Sequence, residues 1–159
     1  AMEAIQQNKD VTGTPVLSPA IPGYTLVIEG GNTLKLVPAA GYSSWATLNG
    51  AGPNLNDDHD SDGVANGIEY FLGGNTNTTG QTTLPGITKA SNIYSITWVK
   101  SSTYQGTYGI HYWVESTSTL SSSWIQEGLG ENVTISGNNI TYTFPSTIKR
   151  FARLIVVEP

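Results

Sequence analysis

Alternation of apolar and polar residues runs through most of the chain, and this pattern is typical of β-strands. Two such segments, Tyr24 to Glu29 and Thr33 to Val37, flank the turn residues Gly30-Gly31-Asn32 and predict a β-hairpin. Further along, six segments of the same kind follow one another at roughly ten-residue spacing, which favours an antiparallel β-sandwich. These predicted strands are Ile93–Val99, Thr107–Ser116, Trp124–Glu127, Asn132–Ile135, Asn139–Phe144 and Arg150–Val157.

Two short segments between the hairpin and these strands have helical spacing instead. In the first, Tyr42 to Asn49, Trp45 and Leu48 are three residues apart and would share one helix face before Gly50 ends the helix. The second, Val64 to Leu72, is followed by two glycines that supply a C-terminal stop. The overall prediction is therefore a mainly β fold with a small helical insert.

Charge is sparse, and it is concentrated in one place. The chain has 159 residues, 7 basic and 12 acidic, for a net charge of −5, and it lacks cysteine. Five of the acids lie between Asp57 and Glu69, so the rest of the chain is formally neutral. A neutral body with scattered basic residues argues against a nucleic-acid partner. The absence of an apolar run near 18 residues argues against membrane insertion, and the absence of cysteine excludes disulfides and thiolate chemistry.

The acidic segment matches the twelve-residue loop D-x-[DN]-x-[DN]-G-x₅-E when the count starts at Asp58. A calcium ion takes six to eight oxygen ligands, and alternate carboxylates in a tight loop can converge on one point. Gly63 permits the sharp turn that brings the next carbonyl inward. The predicted ligands of the calcium ion are Asp58, Asp60, Asp62, the main-chain carbonyl of Val64, Asn66 and Glu69.

Three other interpretations of this segment remain open. It could be a solvated acidic turn that begins a helix, since acidic residues are common there. Magnesium would demand a smaller octahedral shell and keep its waters. A transition metal would require His59, whose position in the loop normally points outward. The calcium interpretation is favoured because five neighbouring carboxylates would otherwise repel one another.

The residues before Asp58 (50–56) are rich in Gly, Pro and Asn, so the loop has an exit helix but no entry helix. In this it resembles the calcium loops of dockerins and thrombospondin type 3 repeats, which implies a structural rather than a regulatory ion. Residues 45–50 together with 57–73 also resemble a module near the C-termini of large secreted proteins of environmental bacteria. Further pieces of that module match 112–124 and 149–154, and the resemblance covers roughly residues 40–157.

These observations predict five segments. They are an extended lead-in (1–22), an N-terminal hairpin (23–40), a helical calcium-binding segment (41–74), a linker (75–83) and a β-sandwich domain (84–159). The low charge and the resemblance together imply an extracellular or cell-surface location in a bacterium, within a larger multidomain protein. The expected function is a non-catalytic, calcium-stabilised module for surface attachment or polysaccharide binding.

Two other functions remain open. The acidic loop could serve a small divalent-metal-dependent hydrolase of phosphoesters or esters, in which the ion polarises an oxygen and His59 and Asp57 act as acid–base groups. Alternatively, the chain could be an inert spacer or cap. Whether it is an enzyme is left undecided, with the balance against catalysis.

Other candidates for chemistry are weaker. His111, Trp113 and Glu115 would share one face of the strand predicted over 107–116, most simply as a solvent-facing stripe. Glu115 and Glu127 could in principle form a pair of glycosidase carboxylates. Exposed aromatic residues can stack on sugar rings, although large aromatic residues more often lie in cores. The tryptophans of the predicted strands are Trp98, Trp113 and Trp124.

Overall fold

The computed structural model describes residues 16, 18–30, 33–74, 84–121, 123–146 and 149–159. This part of the chain contains nine β-strands and two short α-helices. The strands are β1 (Tyr24–Glu29), β2 (Thr33–Pro38), β3 (Thr88–Ala90), β4 (Ile93–Val99), β5 (Tyr112–Thr117), β6 (Ile125–Gln126), β7 (Val133–Ser136), β8 (Asn139–Phe144) and β9 (Phe151–Val156). The helices are α1 (Tyr42–Asn49) and α2 (Asn66–Leu72). Neither helix has the length and apolar content needed to cross a membrane, and no other helix occurs in the described ranges.

The strands form three sheets, and every pairing between them is antiparallel. The predicted hairpin forms a sheet of its own, β1-β2. The other strands form a four-stranded sheet with the order β3-β4-β8-β7 and a three-stranded sheet with the order β6-β5-β9. The Gly137-Asn138 turn joins β7 to β8, with Ser136 paired with Asn139. The predicted mainly β fold is confirmed.

The inner faces of the two larger sheets contribute to one hydrophobic core, as in a β-sandwich. Register explains which residues reach it, because alternate residues of a strand point to opposite faces. In the four-stranded sheet Trp98 pairs with Ile140, and in the three-stranded sheet Val114 pairs with Leu154. The buried residues that these two sheets contribute are Trp98, Val133, Ile140, Tyr142, Tyr112, Val114, Leu154 and Val156.

The helical segment shares this core and does not form one of its own. Phe71 of α2 is fully buried, and its ring lies 5.0 Å from that of Tyr104 and 5.1 Å from that of Tyr112 on β5. Burying a side chain of this size stabilises a fold by about 1.5–3 kcal/mol. Residues on both sides of the predicted linker therefore belong to one packed unit. The linker itself (75–83) lies outside the described residues, as do 1–15 and 17 of the predicted lead-in.

Several predicted boundaries were wrong. The strand predicted over 107–116 begins only at Tyr112, because 107–111 form a turn in which the amides of Ile110 and His111 donate to the Thr107 carbonyl at 3.3 and 2.9 Å. The short strand β3, paired with β4, was not predicted. Helix α2 begins at Asn66 instead of at Val64.

Candidate functional site

The acidic loop brings three carboxylates together. Oxygen atoms of Asp58, Asp60 and Asp62 all lie within 4.8 Å of one another. Calcium binds its oxygen ligands at 2.3–2.6 Å, so ligands on opposite sides of one ion are about 5 Å apart. The spacing of the three oxygens therefore fits a single ion between them. Asp58 and Asp60 are exposed and Asp62 is half-buried, so water can reach the same point.

Backbone amides of the loop orient two of these carboxylates. The N–H groups of Asp62 and Gly63 donate to the two oxygens of Asp58 at 3.2 and 2.9 Å. The N–H of Val64 donates to Oδ1 of Asp62 at 2.8 Å. Gly63 has a φ of 91°, a backbone conformation that a residue with a Cβ rarely adopts. The prediction of a sharp turn at this glycine is confirmed.

The remaining predicted ligands lie deeper. The Asn66 side chain is fully buried, and its Oδ1 accepts a hydrogen bond from the backbone of His59 at 3.2 Å. Glu69 is also fully buried, on α2, and is not one of the three carboxylates that converge. Val64 is buried at the end of the loop. Three of the six predicted ligands thus come together through their carboxylates, while the other three are buried.

Hydrogen bonds attach the loop firmly to the rest of the molecule. The backbone amide of Asn66 donates to the carbonyl of Asp57 at 2.8 Å. The backbone amide of Gly67 donates to the carbonyl of Leu55, also at 2.8 Å. A Cβ on Gly67 would lie 3.0 Å from Leu55, so the two segments approach closely. The Tyr42 hydroxyl of α1 donates a hydrogen bond to the carbonyl of Gly52 at 2.9 Å. The geometry of the acidic loop is therefore fixed by the core next to it.

The two residues proposed for acid–base chemistry lie beside this cluster. Asp57 is exposed and accepts a hydrogen bond from Nδ2 of Asn54 at 2.9 Å, so its carboxylate lies outside the group of three. His59 is exposed, and its backbone amide donates to Oδ1 of Asn66. A catalytic role for either residue stays a prediction.

His111, Trp113 and Glu115 were predicted to share one face of a strand, but His111 lies outside that strand. His111 lies in the turn before β5, and its Nδ1 accepts a hydrogen bond from the amide of Thr107 at 3.0 Å. Trp113 and Glu115 do share a face, and Nε1 of Trp113 donates to Oε1 of Glu115 at 3.0 Å. Glu127 bonds instead to Ser116, which points to the opposite face of β5. Glu115 and Glu127 therefore contact opposite faces and do not form a facing pair.

Glu115 is neutralised by its neighbours. Nε and Nη2 of Arg153 donate to its Oε2 at 2.9 and 2.7 Å, and the guanidinium also lies 4.2 Å from the centre of the Trp124 ring. Partial burial raises the pKa of Glu115, but the hydrogen bonds from Trp113 and Arg153 and the charge of Arg153 outweigh it, so this pKa is lowered. We call Trp113, Glu115, Trp124 and Arg153 the outer-face cluster.

Sequence reasoning missed a cavity of about 420 Å³ between α1 and the segment 101–106. Trp45 and Leu48 of α1 both line it, as does Tyr70 of α2. The sequence predicted that Trp45 and Leu48 share a helix face, but it did not predict that the segment 101–106 lies opposite that face. Of the three strand tryptophans, Trp98 is buried in the core, and Trp113 and Trp124 are half-buried.

Comparison of the chain with protein-family models, curated proteins and solved structures gives no match.

Proposed function

We propose that this chain is a calcium-stabilised β module that acts outside the cell by binding rather than by catalysis. The observation that carries the proposal is the convergence of Asp58, Asp60 and Asp62 in a loop fixed to the core. The donor atoms are all oxygens, which calcium prefers. The exposure of the cluster leaves room for water to complete a shell of six to eight ligands.

The electrostatics of the loop favour a bound cation. Like charges about 5 Å apart repel by roughly 1 kcal/mol per pair in water and by several times more near a protein surface. The chain is only 12% charged. Backbone amides bond to Asp58 and Asp62, and no ion pair within the described residues involves any of the three carboxylates. A divalent cation would replace this repulsion with attraction, so its binding energy would add to the stability of the fold.

The position of the loop makes that stabilisation structural. Helix α2 leaves the loop and places Tyr70 and Phe71 in the core shared by both sheets. An ion bound by Asp58, Asp60 and Asp62 would fix the loop from which α2 starts, and through it the position of these two side chains. In a chain without disulfides, such an ion would serve as the cross-link.

A role in surface attachment or polysaccharide binding agrees with the rest of the surface. It carries few charges and has half-buried aromatic rings at Trp45, Trp113 and Trp124. Such rings can pack against the apolar face of a sugar. Its sequence motifs resemble those of modules in large secreted bacterial proteins, which would suit a cell-surface or extracellular setting within a longer chain. No geometry in the described part of the chain favours the hydrolase over this role.

Thermal unfolding with calcium and with a chelator tests the proposal. At a calcium concentration of about 100 Kd the ion should add about 2.7 kcal/mol, which corresponds to a rise in Tm of roughly 5–10 °C for a chain of this size. Asp60→Asn should lose most of this rise. Asp57→Asn is the matched control, because Asp57 bonds to Asn54 and lies outside the group of three, and it should keep the rise. Identical melting curves with and without calcium would rule out the structural ion, and an equal response to magnesium would rule out the choice of calcium.

A further inference from the structure

The cavity beside α1 has the size of a ligand site. Its volume of about 420 Å³ falls within the range of about 300–1,000 Å³ typical of small-molecule pockets. One side is formed by Trp45, Leu48 and Tyr70. The other side carries three hydrogen-bonding side chains, Ser102, Thr103 and Gln105. Among the described residues that line the cavity none is charged, which favours a neutral ligand.

The aromatic side of the cavity is held rigidly. Nε1 of Trp45 donates to the carbonyl of Gly74 at 3.0 Å, which fixes the orientation of the indole. The indole also stacks on Tyr42 with ring centres 5.7 Å apart and an angle of 29° between planes, and it lies 5.7 Å from the ring of Tyr70. A ligand that packs against this side would not need to order it, which reduces the entropic cost of binding.

The polar side is equally well held. The amide of Ser101 donates to the carbonyl of Phe71 at 2.7 Å, and Nζ of Lys100 donates to the carbonyl of Tyr104 at 2.7 Å. The Tyr104 hydroxyl bonds to the carbonyls of His111 and Val157 at 2.9 and 3.0 Å. These bonds tie the segment 101–106 to α2 and to Val157, the residue after β9, so its side chains line the cavity from a fixed backbone.

Tyr70 and Gln105, which both line the cavity, differ in what they can offer a ligand. Tyr70 is 2% exposed, and its buried hydroxyl donates to no acceptor in the described part of the chain. Burial raises the pKa of Tyr70 by more than a hydrogen bond with the Gly41 backbone lowers it, so the hydroxyl keeps its proton. This hydroxyl is too deeply buried to contact a ligand in the cavity, so polar contacts with a ligand would come from the side chains of the segment 101–106. The amide of Gln105 makes only a long bond of 3.4 Å to the carbonyl of Ser102, which a ligand oxygen could replace.

We propose that this cavity binds one ring of a neutral polysaccharide. A sugar ring has an apolar face that suits the indole side and hydroxyl groups that suit Ser102, Thr103 and Gln105. The inference depends on the proposed function, because it names the site and ligand class through which the module would bind a glycan.

The test is calorimetric titration of the calcium-loaded protein with three neutral hexasaccharides: cellohexaose, chitohexaose and xylohexaose. At least one should bind, and Gln105→Ala should weaken that binding about tenfold, the loss expected for one hydrogen bond of about 1.4 kcal/mol. Leu48→Phe should abolish binding, because the larger side chain would fill the cavity while every polar group stays in place. The matched control is Gln126→Ala, because Gln126 is likewise exposed and makes a 3.4 Å bond to a backbone carbonyl, that of Gly109. This variant should bind normally.

Two results would overturn the inference, and they differ in what they leave standing. If Gln105→Ala and Leu48→Phe bind as tightly as the unmodified chain while Trp113→Ala does not, the sugar lies on the outer-face cluster, and the proposed function survives without this cavity. If no hexasaccharide binds to a protein that calcium still stabilises, both the cavity inference and the glycan-binding role fail, and only the calcium-dependent module remains.

Discussion

Carboxylates occur in two different settings on this protein. In the acidic loop Asp58, Asp60 and Asp62 converge, and uncharged backbone amides bond to Asp58 and Asp62. In the outer-face cluster Glu115 meets the guanidinium of Arg153 and the indole N–H of Trp113. The second group is neutralised within the fold, whereas the first has three like charges close together.

This difference shows why only one of the two settings points to a ligand. A paired carboxylate adds modestly to stability and needs nothing further. Converging carboxylates repel one another, so a bound cation would stabilise the acidic loop, whereas Glu115 already has a cationic partner. The perturbed pKa of Glu115 would by itself suggest a functional residue, but its partners give it a structural explanation.

The largest predicted effect comes from the side chain that connects the two settings. Phe71 lies on α2, the helix that follows the acidic loop, and it packs on Tyr112 of β5, the strand that carries Glu115. Phe71→Ala should lower the free energy of unfolding by about 3–5 kcal/mol, with or without calcium, as measured by urea unfolding. A loss below about 1 kcal/mol would mean that the loop and the sheets do not share one core.

Gly63→Ala should separate local strain from the calcium response. Because φ at this position is 91°, a Cβ should cost about 1–2 kcal/mol and also weaken calcium binding. Gly137→Ala is the control, since Gly137 also has a positive φ, 58°, but lies in the β7–β8 turn. Both variants should unfold more easily in urea, and only Gly63→Ala should show weaker calcium binding by titration calorimetry. Equal calcium affinity in the two variants would contradict the role of the loop backbone.

Glu115→Gln should have a smaller effect that depends on pH. A carboxyl group whose pKa is lowered by folding contributes stability above its unfolded pKa, and this contribution is lost as the pH falls through the folded value. At neutral pH the substitution should therefore cost at most about 1 kcal/mol, and the cost should shrink as the pH falls below the ordinary value of 4.5. Glu29→Gln, which breaks the exposed pair with Lys35, should cost nothing measurable by the same unfolding curves. A cost for Glu115→Gln that does not change with pH would contradict the ion pair.

The smallest predicted effect is the response of the calcium-free protein to salt. Ions shorten the range of charge repulsion to about 10 Å at 0.1 M and about 3 Å at 1 M. Added sodium chloride should therefore stabilise the chelator-treated protein by a few tenths of a kcal/mol. A double variant, Asp60→Asn with Asp62→Asn, should lose this response. If the double variant responds to salt as strongly as the unmodified chain, the repulsion does not arise in the loop.

Local patterns predicted the elements whose structure is determined locally. The hairpin β1-β2, helix α1, the strands β4 and β8 and the turn between β7 and β8 follow from alternation, helical spacing and turn residues. The prediction failed where tertiary contacts compete with the pattern. Residues 107–111 alternate like a strand, yet they form a turn in which the carbonyl of His111 accepts a hydrogen bond from the distant amide of Val157 at 2.7 Å. Strand β3 has only three residues and exists because β4 offers it an edge.

The sequence by itself located the acidic loop, because the three carboxylates that converge lie within residues 58–62 and amides of the loop bond to two of them. Only the tertiary structure decided the rest. It paired Glu115 with Arg153, 38 residues away, and so gave this carboxylate a partner. It also joined α1 to the segment 101–106 across a cavity that no local pattern records. Contacts between distant segments depend on how the sheets and helices pack, and a linear pattern encodes only which face of each element is apolar.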